Sequence, residues 1–227
     1  FLGSAENIKL TQEFLEKKSM LSPIQIEQLE HILYFAGSSP QTVAEIVSQK
    51  IKAETDAGKL LYEFNYLLNG DTVTTNDIDG ILHSEMDTVK RLAAWECSKT
   101  VGKDLHVPLE NLRSLRNKVV QGLDYKDFFN YQVADYGMDA DTMMSMLRKI
   151  NDEIYPLYRE LHTWARYQLA KNYHSKTIPE YLPAHWLPNR WGQDWSDLVT
   201  VEGVDLDAII KSKNYDAEWV VKAAEDY

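Results

Sequence analysis

A chain of 227 residues, 44% apolar and 11% aromatic, can bury a sizeable core, which excludes a disordered tail. Thirty-five acidic against 24 basic residues leave a formal charge of -11 with no basic stripe to offset it, which excludes nucleic acid as a partner. The longest apolar runs fall short of the roughly 20 residues that span a bilayer, so no transmembrane segment is expected.

The chain reads as helix after helix, an all-α protein. Leu10 to Met20 opens the series, and Pro23 starts a second helix that ends at Gly37-Ser38-Ser39-Pro40. A longer helical stretch is expected from Thr42 to Leu68, with Gly58 as a potential break, before Asn69-Gly70-Asp71 turns the chain. Val73-Thr74-Thr75 is β-prone but too short for a sheet, and Thr75 or Asn76 reads as the cap of a helix from Asp77 to Val101. Pro108 opens the next helix, which Gly122 stops, and a short aromatic helix covers Tyr125 to Tyr136.

The clearest periodicity lies between Asp139 and Tyr173. Met143, Leu147, Ile150, Ile154, Leu157, Leu161 and Trp164 recur at alternating steps of four and three, one stripe of a long helix. Pro156 sits in that helix and predicts a kink or two abutting helices. From Ile178 to Trp195 the periodicity stops, and three prolines and three tryptophans crowd into an irregular loop. A pair of helices, about Leu206 to Lys213 and Asp216 to Tyr227, closes the sequence. No internal repeat or flexible linker marks a domain boundary.

Hydrolytic chemistry is hard to place on these residues. The histidines are His31, His83, His106, His162, His174 and His185, and none has a second His four residues away, so the helical zinc-peptidase motif is absent. His83 and Glu85, two apart on a helix, point to different sides, and the oxygen-rich Asp71 to Asp79 stretch fails the calcium-loop spacing. No G-x-S-x-G elbow, phosphate loop or dinucleotide fingerprint is present. The single Cys97 can close no intramolecular disulfide and reads as a small buried apolar residue. No catalytic or metal-binding residue is therefore assigned.

The irregular loop carries a family likeness. Leu182-Pro183-Ala184-His185-Trp186-Leu187-Pro188-Asn189-Arg190-Trp191-Gly192-Gln193-Asp194-Trp195 resembles the P-A-H-L-L-G-N-M-W-x-Q-x-W stretch of the angiotensin-converting enzyme family. Upstream, Pro156-Leu157-Tyr158 with Leu161-His162 and Arg166 is similar to that family's P-L-Y-x-x-L-H-x-Y-V-R helix, and Ala223-Ala224-Glu225-Asp226-Tyr227 resembles the opening of its A-E-x-F-F helix. The resemblance runs from about Trp95 to the end. It implies part of a larger helical metallopeptidase fold with a central cleft, residues 1–227 being the amino-terminal part of one domain, cut before the zinc motif.

The implied activity is release of dipeptides from free peptide carboxyl termini, with zinc held by ligands outside this chain. Implied partners are oligopeptides with a free carboxyl terminus and the missing second half of the domain. The family glutamine of W-x-Q-x-W helps hold the substrate carboxylate, and the matching residue is Gln193; Asp194 is placed to touch the neighbouring side-chain pocket. Glu96 stands where many animal members carry the Arg of a chloride site, and the animal disulfides are missing, so the resemblance is to a bacterial-type member. It also suggests a secreted or periplasmic protein whose leader has been removed before Phe1-Leu2-Gly3-Ser4. The alternative is a non-catalytic helical module that kept the peptide cleft.

Overall fold

The computed structural model describes residues 2–199 and 203–227; Phe1, where the removed leader was expected to end, lies outside them. Helix α1 (Ala5–Leu15) starts at Ser4, whose hydroxyl accepts from the Asn7 amide. Helix α2 (Pro23–Ala36) has Pro23 in its first turn and a capping box between Ser22 and Gln25. Together with Leu123 they bury Ile8, Leu33 and Ala36.

Helix α3 (Ala44–Tyr62) runs through Gly58 without a break but ends before Leu68. The remainder of that predicted helix is instead strand β1 (Tyr66–Leu68), paired antiparallel with β2 (Asp71–Val73) so that Tyr66 faces Val73. Asn69 at φ 55 and Gly70 at φ 96 form the two-residue turn, both in the left-handed region that such hairpins require. The β-prone Val73 thus does pair, contrary to the sequence expectation, because the partner strand was hidden in an apolar run read as helical.

The single helix expected from Asp77 to Val101 is two, α4 (Thr75–Ser84) and α5 (Thr88–Lys99). Thr74 and Asp77 form the capping box of α4. Between the helices, the Glu85 carboxylate accepts from the amides of Met86 and Asp87, and Asp87 caps α5 through Val89 and Lys90. Local carboxylate-to-backbone bonds divide the segment without proline or glycine. The hairpin, α4 and α5 enclose a core of Tyr66, Ile78, Leu82, Ala94, Cys97 and Val101. Cys97 is buried and donates to the Leu67 carbonyl, and desolvation pushes its thiol above the usual value.

Helix α6 (Gly102–Gln121) begins six residues before Pro108, which lies inside it, and packs along α3. Arg116 on α6 donates through Nε and Nη2 to Glu54 on α3, at 3.2 and 3.1 Å. Helix α7 (Phe128–Ala134) leads to α8 (Ala140–Asn172), continuous through Pro156, so two abutting helices are not observed. At 1.5 Å per residue α8 is about 50 Å long. Helices α9 (Leu206–Ser212) and α10 (Ala217–Asp226) bury no residue. The all-α class holds, with one small hairpin as its β content among the described residues.

Candidate functional site

The loop from 182 to 195 cannot satisfy its own backbone, since apart from a short 3-10 turn (Ala184–Trp186) it has no regular hydrogen-bond ladder. Side chains from α5 and from α8 with its carboxyl-terminal cap supply the donors. Arg91 of α5, only 2% exposed, donates through Nε to His185 O (2.7 Å) and through Nη2 to Leu187 O (3.0 Å). Its Nη1 bonds Glu85 O at 2.9 Å, and its guanidinium lies over the Tyr173 ring. The Tyr173 hydroxyl at the end of α8 donates to Trp186 O at 3.0 Å. Three carbonyl bonds from two side chains thus fix the first half of the loop.

The second half is held on α4 and α5. Trp95 Nε1 and Lys99 Nζ both donate to Arg190 O, at 3.0 and 2.6 Å. Arg190 itself makes a two-pronged ion pair with Asp79 of α4, Nε to Oδ1 at 2.8 Å and Nη2 to Oδ2 at 3.1 Å, while stacking over Trp191. Desolvation first, and then the Arg190 charge, holds the Lys99 ammonium below the usual lysine range. On the entry side, Arg166 Nη1 reaches the carbonyls of Pro179 and Glu180. Leu169, Ala170, Trp186 and Leu187 form the buried cluster beneath.

Gln193 follows a turn at Gly192, whose φ of 65° is one that L side chains rarely adopt; a β-carbon there would also meet Ala184 Cβ at 3.2 Å. The Gln193 backbone N–H bonds Asn189 Oδ1, and its carboxamide is exposed and forms no hydrogen bond with any described residue. Asp194 is different. One of its oxygens, Oδ1, accepts from the Ser196 hydroxyl at 2.6 Å and amide at 2.9 Å, and these bonds, the hydroxyl's first, hold its carboxyl below the usual range. Asp194 also lines a cavity of about 260 Å³ with His83, Arg91, Gln168, Tyr173 and Trp195. The loop therefore brings the two predicted residues side by side, one free and one partly engaged.

His185 is half-buried, and desolvation, reinforced by Arg91, lowers its pKa, so the imidazole is neutral at neutral pH. Sequence reasoning did not single out Arg91, Asp79, Lys99 or Tyr173, because their partners lie on a distant segment or at the far end of the loop. Among the described residues, no group of three His, Cys, Asp or Glu side chains is arranged to hold a metal ion. None of the described helices is long and apolar enough to cross a membrane.

These features define a helical scaffold displaying a loop whose backbone is held by side chains and whose exposed Gln193 carboxamide bonds no described residue. The chain belongs to the angiotensin-converting enzyme family, peptidase family M2, whose sequence model matches residues 18–227. It is 29% identical over 158 residues to the angiotensin-converting enzyme-like protein Ace3 of Mus musculus, covering 65% of this chain and 21% of that protein. To the angiotensin-converting enzyme of Oryctolagus cuniculus it is 26% identical over 161 residues, 66% of this chain and 12% of that protein. The enzyme of Theromyzon tessulatum matches at 27% over 125 residues, 54% of this chain and 20% of the relative. The chain thus spans between 12% and 21% of the length of these relatives. The family is one of zinc-dependent peptidases, and the described residues do not themselves fit a zinc ion.

Proposed function

We propose that residues 1–227 form one wall of a peptidase cleft, the amino-terminal part of a helical domain that releases dipeptides from peptide carboxyl termini. The observation that carries this reading is the exposed Gln193 carboxamide, which has no hydrogen-bond partner among the described residues, on a loop whose backbone is otherwise pinned by six side-chain bonds. An amide N–H offered to an ionised carboxylate makes a charge-assisted contact that selects chain ends over internal peptide. Asp194, ionised and one residue on, faces the adjoining cavity and acts on the neighbouring substrate side chain. The zinc ligands and the group that activates water would lie outside this chain.

The uncovered stripe of α8 supports the same reading. Leu147, Ile150, Ile154, Leu157, Leu161 and Trp164 are each between 40% and 63% exposed, and a monomer rarely leaves such a row open. In the proposed domain the second half covers it. The test is a direct pair of assays. The 227-residue chain, stripped of metal and reconstituted, should retain no tight equivalent of zinc and cleave no peptide. The polypeptide extended to full family length should release dipeptides from free-acid peptides. Tight zinc in the short chain contradicts the assignment, and an extended protein that binds peptides without cleaving them establishes the non-catalytic module instead.

A further inference from the structure

We infer that the Asp79–Arg190 ion pair is the positioning element of the Gln193 turn, coupling helix α4 to the substrate-facing loop. For its functional meaning this rests on the proposed role of Gln193; the geometry stands apart from it. Arg190 lies three residues before Gln193, within that turn, and its carbonyl is gripped from outside by Trp95 Nε1 and Lys99 Nζ. From Asn189 onward the turn closes on itself, Gly192 N to Asn189 O at 3.3 Å and Gln193 N to Asn189 Oδ1 at 3.1 Å. Arg190 therefore sets where that closed turn stands.

Its side chain is fixed on both sides. Both prongs of the guanidinium engage Asp79, 111 residues away in sequence, and its face covers Trp191 at 4.8 Å from the ring centre. The Arg190 side chain is 18% exposed and that of Asp79 39%, which shields the pair from solvent more than the lysine pairs elsewhere on this surface. The two-pronged geometry fixes orientation as well as distance, which a lysine in place of Arg190 would not reproduce. The mainchain grip from Trp95 and Lys99 fixes a point, and the Asp79 pair supplies the orientation about it. Without Asp79 the Arg190 side chain must desert Trp191 or leave its charge beside Lys99, whose ammonium already feels it.

The test uses the chain itself, followed by NMR. The Trp95 indole N–H reports the Arg190 carbonyl, the Gln193 amide reports the turn, and the Val119 and Val120 amides of α6 report global opening. Asp79→Asn and Arg190→Lys should each speed exchange at Trp95 Nε1–H and the Gln193 amide about tenfold while leaving α6 exchange unchanged. The swapped double variant Asp79→Arg/Arg190→Asp should recover most of that protection, which a merely volumetric role would not allow. The inference is overturned if loop exchange is unmoved in both single variants, if the swap restores nothing, or if α6 exchange accelerates in step. Failure of the Gln193 reading has a separate signature: Gln193→Ala then leaves peptide-acid affinity of the extended protein unaltered, whatever the exchange data show.

Discussion

The irregular loop at 182–195 and roughly the first seven turns of α8 reverse the usual association between regularity and support. The loop has little secondary structure, yet its carbonyls at His185, Trp186, Leu187 and Arg190 are each claimed by a side-chain donor. Helix α8 is continuous for 33 residues, yet it buries only Ala165, Leu169 and Ala170, all near its carboxyl end. Tyr158 and His162 meet Trp195 at ring-centre distances of 6.1 Å, on a side of the helix that leaves the 4-3 stripe open. The helix satisfies its own backbone and can stand uncovered; the loop cannot, and has to be bought with specific tertiary bonds. Under the proposed function, that division places a held backbone where the substrate would be read and an apolar face where the second half would pack.

The contrast breaks most sharply at Arg91. Arg91→Met strands buried carbonyls and removes a charge-assisted network, and should cost about 3 kcal/mol or more in urea unfolding. A loss below about 1 kcal/mol would mean the loop is held by apolar packing alone. Next comes Gly192→Ala, where a positive φ and the Ala184 contact should cost roughly 1–2 kcal/mol, read as a lowered melting temperature. An unchanged melting temperature would show that the turn adapts.

A pH titration sharpens the same point. The lowered pKa of His185 means the folded state binds this proton less readily than the unfolded chain. Its contribution is therefore fully present above the ordinary imidazole value, near 6.5, and is lost as pH falls through the depressed folded value. Stability should decline over that window in the parent and more shallowly in His185→Gln; parallel curves would remove His185 from the account. The smallest effect is expected on α8. Leu157→Ser, at a residue 63% exposed, should change the stability of this chain by no more than about 0.5 kcal/mol. A large loss would show that the stripe is already covered, by self-association for example, and sedimentation equilibrium would detect it.

Most of the helical order was legible because capping residues and apolar periodicity coincide, as at Ser22-Pro23 and along the α8 stripe. The hairpin was missed although Asn69-Gly70 between apolar runs is a strong hairpin signal; the helical period of the preceding stretch masked the switch to a period of two. The α4–α5 break was missed because carboxylates make it, and Pro108 misled because a helix can begin before an interior proline when tertiary packing favours it. Gln193 and Asp194 came from the likeness of the loop, not from any periodic pattern. The anchors did not show at all: Arg91 and His185 are 94 residues apart, and only the fold makes them neighbours.

The carboxylate-reading role of Gln193 is tested most directly by comparing free-acid and carboxyl-amidated peptides on the extended protein and its Gln193→Ala variant. Losing a charge-assisted bond of roughly 1.5–3 kcal/mol should weaken the free-acid peptide by about one to two decades, mainly in KM, while the poorly cleaved amide barely changes. Equal impairment of both substrates, or a large fall in melting temperature without selectivity, would contradict the account and make Gln193 a scaffold residue.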